Sequence, residues 1–292
     1  MVGSAPPGEP SRPDDASPAH DPPYDMAGHV LAKIGLRIAV EDGPPRFDLH
    51  LEPVLLDGDG HLDFGVLGVY LDMASGQIAS ARTAPWVHAD ITAHRLAPPR
   101  GSVLSASSTA LRLGRRTGVV ELDVHDELGT HVARSTQELV FVGPERPPED
   151  RGEMRARFYG MFDGRCSLDA PMGEVLGIER RDEDGAAVWE LGLSDASRNG
   201  FGGLHGGVAI ALVEAAAVGA VVDAGGGGGD VTATCRSASV RYLAPGMVGP
   251  FRAAPTIVAR HGGTALVRVG VHDAGAEDRL TIVAEVHIDA DR

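Results

Sequence analysis

The chain has 292 residues, 43% of them hydrophobic, and a formal net charge of −15, so it can form one large domain or two of ordinary size. The negative charge argues against sequence-independent nucleic-acid binding, which needs a basic surface, although a local basic patch can still hold an anionic ligand. The two cysteines, Cys166 and Cys235, stand outside any CxxC pair, so we expect neither a zinc site nor a disulfide framework. No apolar run approaches about 18 residues, and we therefore expect no transmembrane helix.

Residues 1–25 hold few apolar side chains beyond alanine and proline, which predicts a disordered tail and not a secretory signal. We expect a cytoplasmic enzyme or binding protein. The rest of the chain divides into an N-terminal domain at 26–143, a linker at 144–167 and a C-terminal domain at 168–292, because the pattern of the first domain returns in the second.

The two domains are related by an internal repeat with a nearly constant offset. Up to the central helix the offset is 142 residues, so that Gly65-Val66 corresponds to Gly207-Val208. After the helix the offset is 147, because the second copy contains the insertion Gly225–Gly229, and Leu96-Ala97-Pro98 then corresponds to Leu243-Ala244-Pro245. Two copies are too few for a solenoid, so we interpret them as a duplicated domain that forms an internal pseudo-dimer.

Each copy predicts the same elements in the same order: a strand with its hairpin, a glycine-rich loop, an apolar helix and further strands. In the first copy these are Phe47–Leu51, the helix Val66–Ala81, and the strands Val87–Leu96, Val103–Leu113, Val119–Val124 and Ser135–Val142. In the second copy they are Val188–Leu193, the helix Val208–Asp223, and the strands Thr234–Leu243, Phe251–Arg260, Ala265–Val271 and Thr281–Ile288. One helix with about five antiparallel strands per copy indicates an α+β fold.

Both predicted helices are apolar nearly all round, which is typical of a helix buried inside its own domain. Each nevertheless carries a carboxylate, Asp72 in the first helix and Glu214 in the second. Burying a lone carboxylate costs several kcal/mol unless it is paired or its pKa rises. These two residues are therefore candidates for function.

The most specific pattern lies around the second helix. It combines Asn199, His205-Gly206-Gly207, Leu212 and Glu214 with a following strand that carries Thr234 and ends in Leu243-Ala244-Pro245-Gly246. This set resembles the hotdog-fold acyl-CoA thioesterases, above all the phenylacetate-pathway and 4-hydroxybenzoyl-CoA types. The match covers about residues 168–290, and the first copy shares the layout without the His-Gly-Gly. The resemblance implies a tandem (double) hotdog, in which each antiparallel sheet wraps around its central helix.

The resemblance also implies thioester hydrolysis, with the Gly206 N–H as oxyanion donor and a carboxylate as nucleophile or general base. Asn199 would orient the attacking water or the carboxylate. Gly206 and Glu214 are eight residues apart, about 12 Å along one helix, so one thioester carbon cannot contact both. The carboxylate must then come from the helix of the other copy.

This geometry predicts two unequal composite sites. The first, the Asp72 site, joins that carboxylate to the loop of the second copy, with Asn199, His205 and Gly206. The second, the Glu214 site, joins that carboxylate and Thr234 to the loop of the first copy, with Asp57 and Asp63-Phe64-Gly65. The second loop adds like charge and a bulky side chain, so we expect one working site, with Asp72 as its nucleophile or base.

Further residues are expected to bind the substrate. Gly207, Phe64 and Val87 are predicted to border the thioester, Val87 because it stands where the second copy has Thr234. Arg112, Arg115 and Arg116 are candidates for the phosphates of coenzyme A. The substrate would be an acyl-CoA or an acyl-carrier protein, and no cofactor or metal is implied, since the histidines show no ligand spacing. A homodimer of pseudo-dimers is left open.

Two other functions are compatible with these residues. His205 beside Asp72 also suits a hotdog dehydratase, hydratase or cyclisation catalyst of a polyketide-like pathway. The missing His-Gly-Gly of the first copy suits a non-catalytic acyl-CoA-binding protein. His205 and Asn199 also have structural interpretations, as the residue that starts the helix and as a turn cap.

Overall fold

The computed structural model describes residues 28–39, 45–79, 85–143, 159–183, 185–225 and 232–291. The predicted tail at 1–25, the larger part of the linker at 144–167 and most of the insertion Gly225–Gly229 lie outside these ranges. The described end of the linker packs on the first copy, where Ile34 forms a β-bridge with Cys166 and Arg37 forms one with Asp163.

Within the described ranges each copy has one central helix, a one-turn helix before it and six strands, and the first copy adds a one-turn helix after the central one and a 3-10 helix at Pro53–Leu55. In the first copy the helices are α1 (Val30–Lys33), α2 (Phe64–Ala74) and α3 (Gly76–Ala79), and the strands are β1 (Leu36–Ala39), β2 (Arg46–His50), β3 (Trp86–Arg95), β4 (Val103–Leu113), β5 (Thr117–Asp126) and β6 (His131–Phe141). In the second copy the helices are α4 (Met172–Val175) and α5 (Gly206–Ala224), and the strands are β7 (Glu179–Glu183), β8 (Ala186–Leu191), β9 (Thr232–Tyr242), β10 (Phe251–His261), β11 (Thr264–Asp273) and β12 (Arg279–Asp291).

The twelve strands of the described chain form one antiparallel sheet in the order β1-β2-β4-β5-β6-β3-β9-β12-β11-β10-β8-β7. This order is symmetric about the pair β3–β9, which joins the copies in the register Asp90↔Arg241 to His94↔Ser237. The predicted tandem hotdog with an internal pseudo-dimer is confirmed. The expectation of about five strands per copy is one short, because β1 and β7 each add a hairpin partner to the strand that follows.

The central helices α2 and α5 cross in direct backbone contact on the inner face of the sheet. A Cβ atom added to Gly207 would lie 2.4 Å from the Val69 Cα, and one added to Gly68 would lie 2.7 Å from the Ile210 Cβ. Only glycine permits so close an approach. The crossing brings the start of each helix against the carboxylate carried by the other.

The predicted first helix, Val66–Ala81, is too long. The helix α2 begins at Phe64, with Asp63 as its N-cap, and ends at Ala74. The Ser75 hydroxyl donates to the Asp72 carbonyl at 2.7 Å, a local bond that competes with continuation of the helix. The one-turn α3 follows, and the next residues lie outside the described ranges.

The core fills the space between these helices and the sheet, with Phe47, Phe64, Tyr70 and Phe251 fully buried. Among the described helices, α5 has the length and the apolar composition of a membrane span. In this fold it is the central helix of the second copy, packed against α2 and the strands β8 to β12.

Candidate active site

Asp72 is the centre of a buried cluster of polar groups drawn from both copies, and the residue is 7% exposed. Its Oδ2 atom accepts the Gly207 N–H at 2.6 Å and lies 3.2 Å from the Nδ1 of His205. Its Oδ1 atom lies 3.1 Å from the Nδ1 of His88. The structure thus brings Asp72 of the first copy to the His-Gly-Gly loop of the second, as the spacing along the helix predicts.

The start of α5 stabilises the charged form of Asp72. His205 is the N-cap of this helix, so unpaired N–H groups and the positive end of the helix dipole lie beside the carboxylate. Burial by itself raises the pKa of Asp72, but His205, His88 and the Gly207 N–H outweigh it and hold the pKa below its usual value. Asp72 is therefore a carboxylate at neutral pH, the form that a general base or nucleophile needs.

His88 and Gln137 are members of this site that the sequence interpretation missed. The Nε2 atom of His88 lies 2.8 Å from the Gln137 Oε1 and 3.2 Å from the Ser75 Oγ. Gln137 is fully buried and donates its Nε2 to the Leu71 carbonyl at 3.1 Å. Strand β6 thereby fixes the ring of His88, and His88 fixes one oxygen of Asp72.

The place beside Asp72 that was assigned to Val87 belongs to His88. Successive strand residues face opposite sides of a sheet. His88 and Trp86 lie on the side that faces α2, and their rings meet edge-on at 5.1 Å. A bulge between His88 and Asp90 interrupts the alternation of β3 at this point. The available signal was a polar residue at the strand position that Cys235 occupies in the second copy.

The ring of His205 is held in turn by the N-terminal segment of the first copy. The buried His29 ring meets it edge-on, with 5.5 Å between the centroids. His29 accepts the Leu31 N–H at 3.1 Å and bonds through Nε2 to the Arg198 carbonyl. Burial, reinforced by His205, lowers the pKa of His29 to about 3, and burial also lowers the pKa of His205. Both shifts favour the neutral form of the ring.

Gly206 lies next to the Asp72 carboxylate and carries an amide suited to an oxyanion. A Cβ atom at this position would lie 2.8 Å from the Asp72 Oδ2 and 3.4 Å from the Tyr242 hydroxyl oxygen. That hydroxyl donates to the Gly206 carbonyl at 2.9 Å. Within the described ranges no protein acceptor faces the Gly206 N–H, as is usual for the first amides of a helix.

Asn199 organises the loop that leads into α5. Its Oδ1 accepts the N–H groups of Phe201 and Gly203 at 2.9 and 3.1 Å, and its Nδ2 donates to the Leu204 carbonyl at 3.0 Å. Most of its hydrogen-bonding capacity therefore goes to the loop backbone. This geometry favours the turn-cap interpretation over the expected contact with a water or with Asp72.

A groove of about 520 Å³ lies where β3 and β9 diverge. Gln137 and Tyr242, which contact His88 and Gly206, both line it. We call it the junction groove, and the polar side chains on its rim are those of Asp90, Thr92, Glu138, Ser239 and Arg241.

The Glu214 site is the counterpart of the Asp72 site across the pseudo-twofold. Glu214 accepts the Gly65 N–H at 2.7 Å, but Asp63 caps α2 where His205 caps α5. Burial, reinforced by Asp63, raises the pKa of Glu214 well above its usual value, and burial raises the pKa of Asp63 as well. The expected second acid is present, and the raised pKa of Glu214 disfavours its ionised form beside Asp63.

A cavity of about 310 Å³ lies beside Glu214, and we call it the Glu214 cavity. Thr234 and Cys235 of β9 line it together with Asp57, which forms an ion pair with Arg95. The Phe64 side chain is fully buried in the core and is not among the residues that line this cavity.

The three candidate arginines are exposed at the hairpin between β4 and β5. Arg112 lies near the end of β4, and Arg115 and Arg116 lie in the turn. The Arg116 carbonyl accepts the N–H of Phe141, which pairs with Trp86 of β3. The hairpin therefore stands at the same end of the sheet as the Asp72 site, and phosphate binding by these arginines stays a prediction.

The fold and the composite carboxylate sites define a hotdog-fold enzyme. Two family models match the chain: the acyl-CoA thioesterase C-terminal domain matches residues 7–141, and the thioesterase superfamily matches residues 201–286. None of the curated proteins matches the sequence.

Several solved structures share the fold over most of the chain. The tesB protein of Mycobacterium avium subs paratuberculosis has a TM-score of 0.63 at 15% identity, over 92% of this chain and 100% of that chain. An acyl-ACP thioesterase from Bacteroides thetaiotaomicron has a TM-score of 0.54 at 15% identity, over 84% and 97%. The 12:0-ACP thioesterase from Umbellularia californica has a TM-score of 0.55 at 12% identity, over 84% and 94%.

The chain belongs to the thioesterase superfamily, with one thioesterase domain in each half. Its activity is thioester hydrolysis, and it is therefore an enzyme of the hydrolase class. The family match favours this activity over the dehydratase and binding-protein alternatives. Acyl-CoA is the substrate class that the first domain's family implies.

Proposed function

We propose that this protein hydrolyses acyl-CoA at the Asp72 site and not at the Glu214 site. The observation that carries the proposal is the contact between Asp72 and the start of α5. An ionised carboxylate there lies against the unpaired amide of Gly206, so a base and an oxyanion donor meet at one point. At the Glu214 site burial and a second acid, Asp63, raise the pKa of the carboxyl and disfavour its ionised form.

In the proposed reaction Asp72 is a general base. It takes a proton from a water molecule, whose oxygen attacks the carbonyl carbon of the thioester. The charge that develops on the carbonyl oxygen is stabilised by the Gly206 N–H. The carbon–sulfur bond then breaks, the proton moves from Asp72 to the thiolate, and the products are a free acid and a free thiol.

A nucleophilic Asp72 is the competing mechanism. Both of its oxygens already have partners, Gly207 and His205 at Oδ2 and His88 at Oδ1, so attack on carbon would displace at least one of them. General-base catalysis leaves these contacts in place. A single turnover in isotopically labelled water tests the nucleophilic route, because water that attacks the aspartyl carbon of the anhydride leaves labelled oxygen in the Asp72 carboxylate, whereas the base route never does.

The main test compares Asp72→Asn with Glu214→Gln, the matched change at the counterpart site. Loss of a general base costs about 10²–10⁴-fold in rate, so we expect that loss of kcat in Asp72→Asn and near-normal activity in Glu214→Gln. Free-thiol release from a panel of acyl-CoAs measures both. The opposite result would assign catalysis to the Glu214 site.

His88 and Gln137 are proposed as positioning residues for Asp72. His88→Ala should lower kcat more than it changes KM, because it frees Oδ1 of the carboxylate without touching bound CoA. The reaction uses groups of this chain alone, so we propose that activity needs no cofactor and survives a metal chelator. A cytoplasmic location and a homodimer of pseudo-dimers stay predictions.

A further inference from the structure

The Asp72 site and the Glu214 site surround corresponding volumes, and the two are filled differently. Four small residues stand in the wall of the Glu214 cavity, namely Pro171, Gly173, Ala215 and Ala233. The repeat offsets of 142 and 147 residues place much larger residues at the same positions around Asp72, namely His29, Leu31, Met73 and Trp86. At two other lining positions the order is reversed, since Glu174 and Val218 correspond to Ala32 and Gly76. The four larger side chains still stand around Asp72 at positions where small ones border the cavity beside Glu214.

These four residues, which we call the Asp72 wall, are tied to the members of the Asp72 site. His29 and Leu31 are 1% and 3% exposed, and the His29 ring meets His205. Trp86 meets His88 edge-on, and Met73 follows Asp72 in α2 and packs on the core. A substrate that displaces His29 or Trp86 therefore also moves a histidine that holds the carboxylate.

A thioester has two arms that leave the reacting carbonyl in different directions, the acyl group and the thiol arm. Gln137 and Tyr242 line the junction groove, and its rim carries the charged side chains of Asp90, Glu138 and Arg241. These side chains can hydrogen-bond to the amides of a pantetheine arm, whereas a long alkyl chain laid against them would desolvate them without offering a partner. The acyl arm is then left with the side of the site that the Asp72 wall fills.

We propose that the Asp72 wall restricts this enzyme to thioesters of short acyl groups, with Met73 and Trp86 setting the length limit. The inference rests on the proposed function of the Asp72 site. It assigns to this chain a substrate class, short-chain acyl-CoA, through four side chains that the second copy replaces with smaller ones.

The test is the ratio of kcat/KM for octanoyl-CoA to that for butyryl-CoA, measured within a series from acetyl-CoA to palmitoyl-CoA. In the wild type this ratio should be well below one. Met73→Ala gives the first copy the alanine that the second copy has at position 215. It should raise the octanoyl-to-butyryl ratio about tenfold, since one methylene more or less in an apolar pocket changes discrimination about 10–200-fold. Met73→Leu keeps the volume and should keep the wild-type ratio.

Ala215→Met is the matched control, because it puts the same large side chain into the Glu214 cavity, and it should leave the ratio unchanged. Trp86→Ala provides a second enlarged pocket, with folding of each variant checked by circular dichroism. The proposal is overturned if the wild type prefers palmitoyl-CoA, if both enlarged variants fold and keep the wild-type ratio, or if Ala215→Met alters the ratio.

Failure of the proposed function gives a different result. A wild type that hydrolyses none of the acyl-CoA series contradicts thioesterase action at the Asp72 site. Calorimetric titration with butyl-CoA and octyl-CoA thioethers then tests the Asp72 wall separately. Tighter binding of octyl-CoA by Met73→Ala than by the wild type supports the length limit, and equal binding overturns it.

Discussion

The neighbouring glycines Gly206 and Gly207 separate stability from catalysis, because an added methyl group meets a different obstacle at each. At Gly207 the new Cβ would lie 2.4 Å from the Val69 Cα and 2.8 Å from the Gly68 carbonyl oxygen, both backbone atoms. At Gly206 it would lie 2.8 Å from the Asp72 Oδ2, the end of a side chain that can turn. Gly207→Ala should therefore push the central helices apart, whereas Gly206→Ala should displace the carboxylate.

The expected loss of stability in Gly207→Ala follows from three contributions. Overpacking against backbone costs about 1–3 kcal/mol, and weakening the hydrogen bond from Gly207 to the charged Asp72 costs about 1.5–3 kcal/mol. Replacing glycine by alanine in a helix returns up to about 1 kcal/mol. The net loss is about 3 kcal/mol, which lowers the Tm of a domain of this size by about 6–12 °C.

Thermal unfolding followed by circular dichroism, combined with the free-thiol assay below the lower Tm, tests both variants. Gly206→Ala should unfold close to the wild type but lose at least about tenfold in kcat, equivalent to about 1.4 kcal/mol of transition-state stabilisation. A Gly207→Ala protein that unfolds within about 2 °C of the wild type, or a Gly206→Ala enzyme with full kcat, refutes this reasoning.

Three further predictions concern titration and substrate binding. Because burial and Asp63 raise the pKa of Glu214, its native form keeps a proton that the unfolded chain releases, so stability falls as the pH rises above about 4.5; Glu214→Gln should remove that slope in the free energy of unfolding. For His29 the sign is opposite, because its pKa is about 3 against 6.5 for the ordinary side chain, so the free energy of unfolding falls as the pH drops below about 6.5. His29→Gln should flatten this loss of stability. An unchanged slope of the free energy of unfolding against pH, in Glu214→Gln or in His29→Gln, contradicts the pKa shift assigned to that residue. Replacing Arg115 and Arg116 by alanine should raise KM for acyl-CoA but not for the acyl-pantetheine, which lacks the nucleotide phosphates, and equal effects on both exclude a phosphate contact.

The composite nature of the sites was predictable from the sequence. The repeat offset pairs Asp72 with Glu214, and the rise of about 1.5 Å per residue separates Gly206 from the carboxylate on its own helix. Both are local, periodic properties of the chain. They sufficed to predict that Asp72 meets the start of α5, and the structure has that contact at 2.6 Å.

The residues that complete the Asp72 site were not predictable in the same way. Gln137 and His29 come from segments far from Asp72 in the chain, and no spacing rule relates them to it. His88 was missed because the repeat offset from Thr234 selects Val87, whereas the neighbouring strand residue His88 is the one that faces Asp72. Asn199 was correctly placed in the loop, but its bonds to Phe201 and Gly203 depend on a turn that composition does not specify.

The sequence by itself thus determined the tandem fold, the pairing of the copies and the two candidate carboxylates, since periodicity and helix rise act over a few neighbouring residues. Tertiary structure alone decided that the pKa of Asp72 is lowered while that of Glu214 is raised. It also decided that large side chains stand beside the first carboxylate and an open cavity beside the second. Protonation and free volume depend on the side chains that distant segments bring to one place, and the fold has to form before these are set.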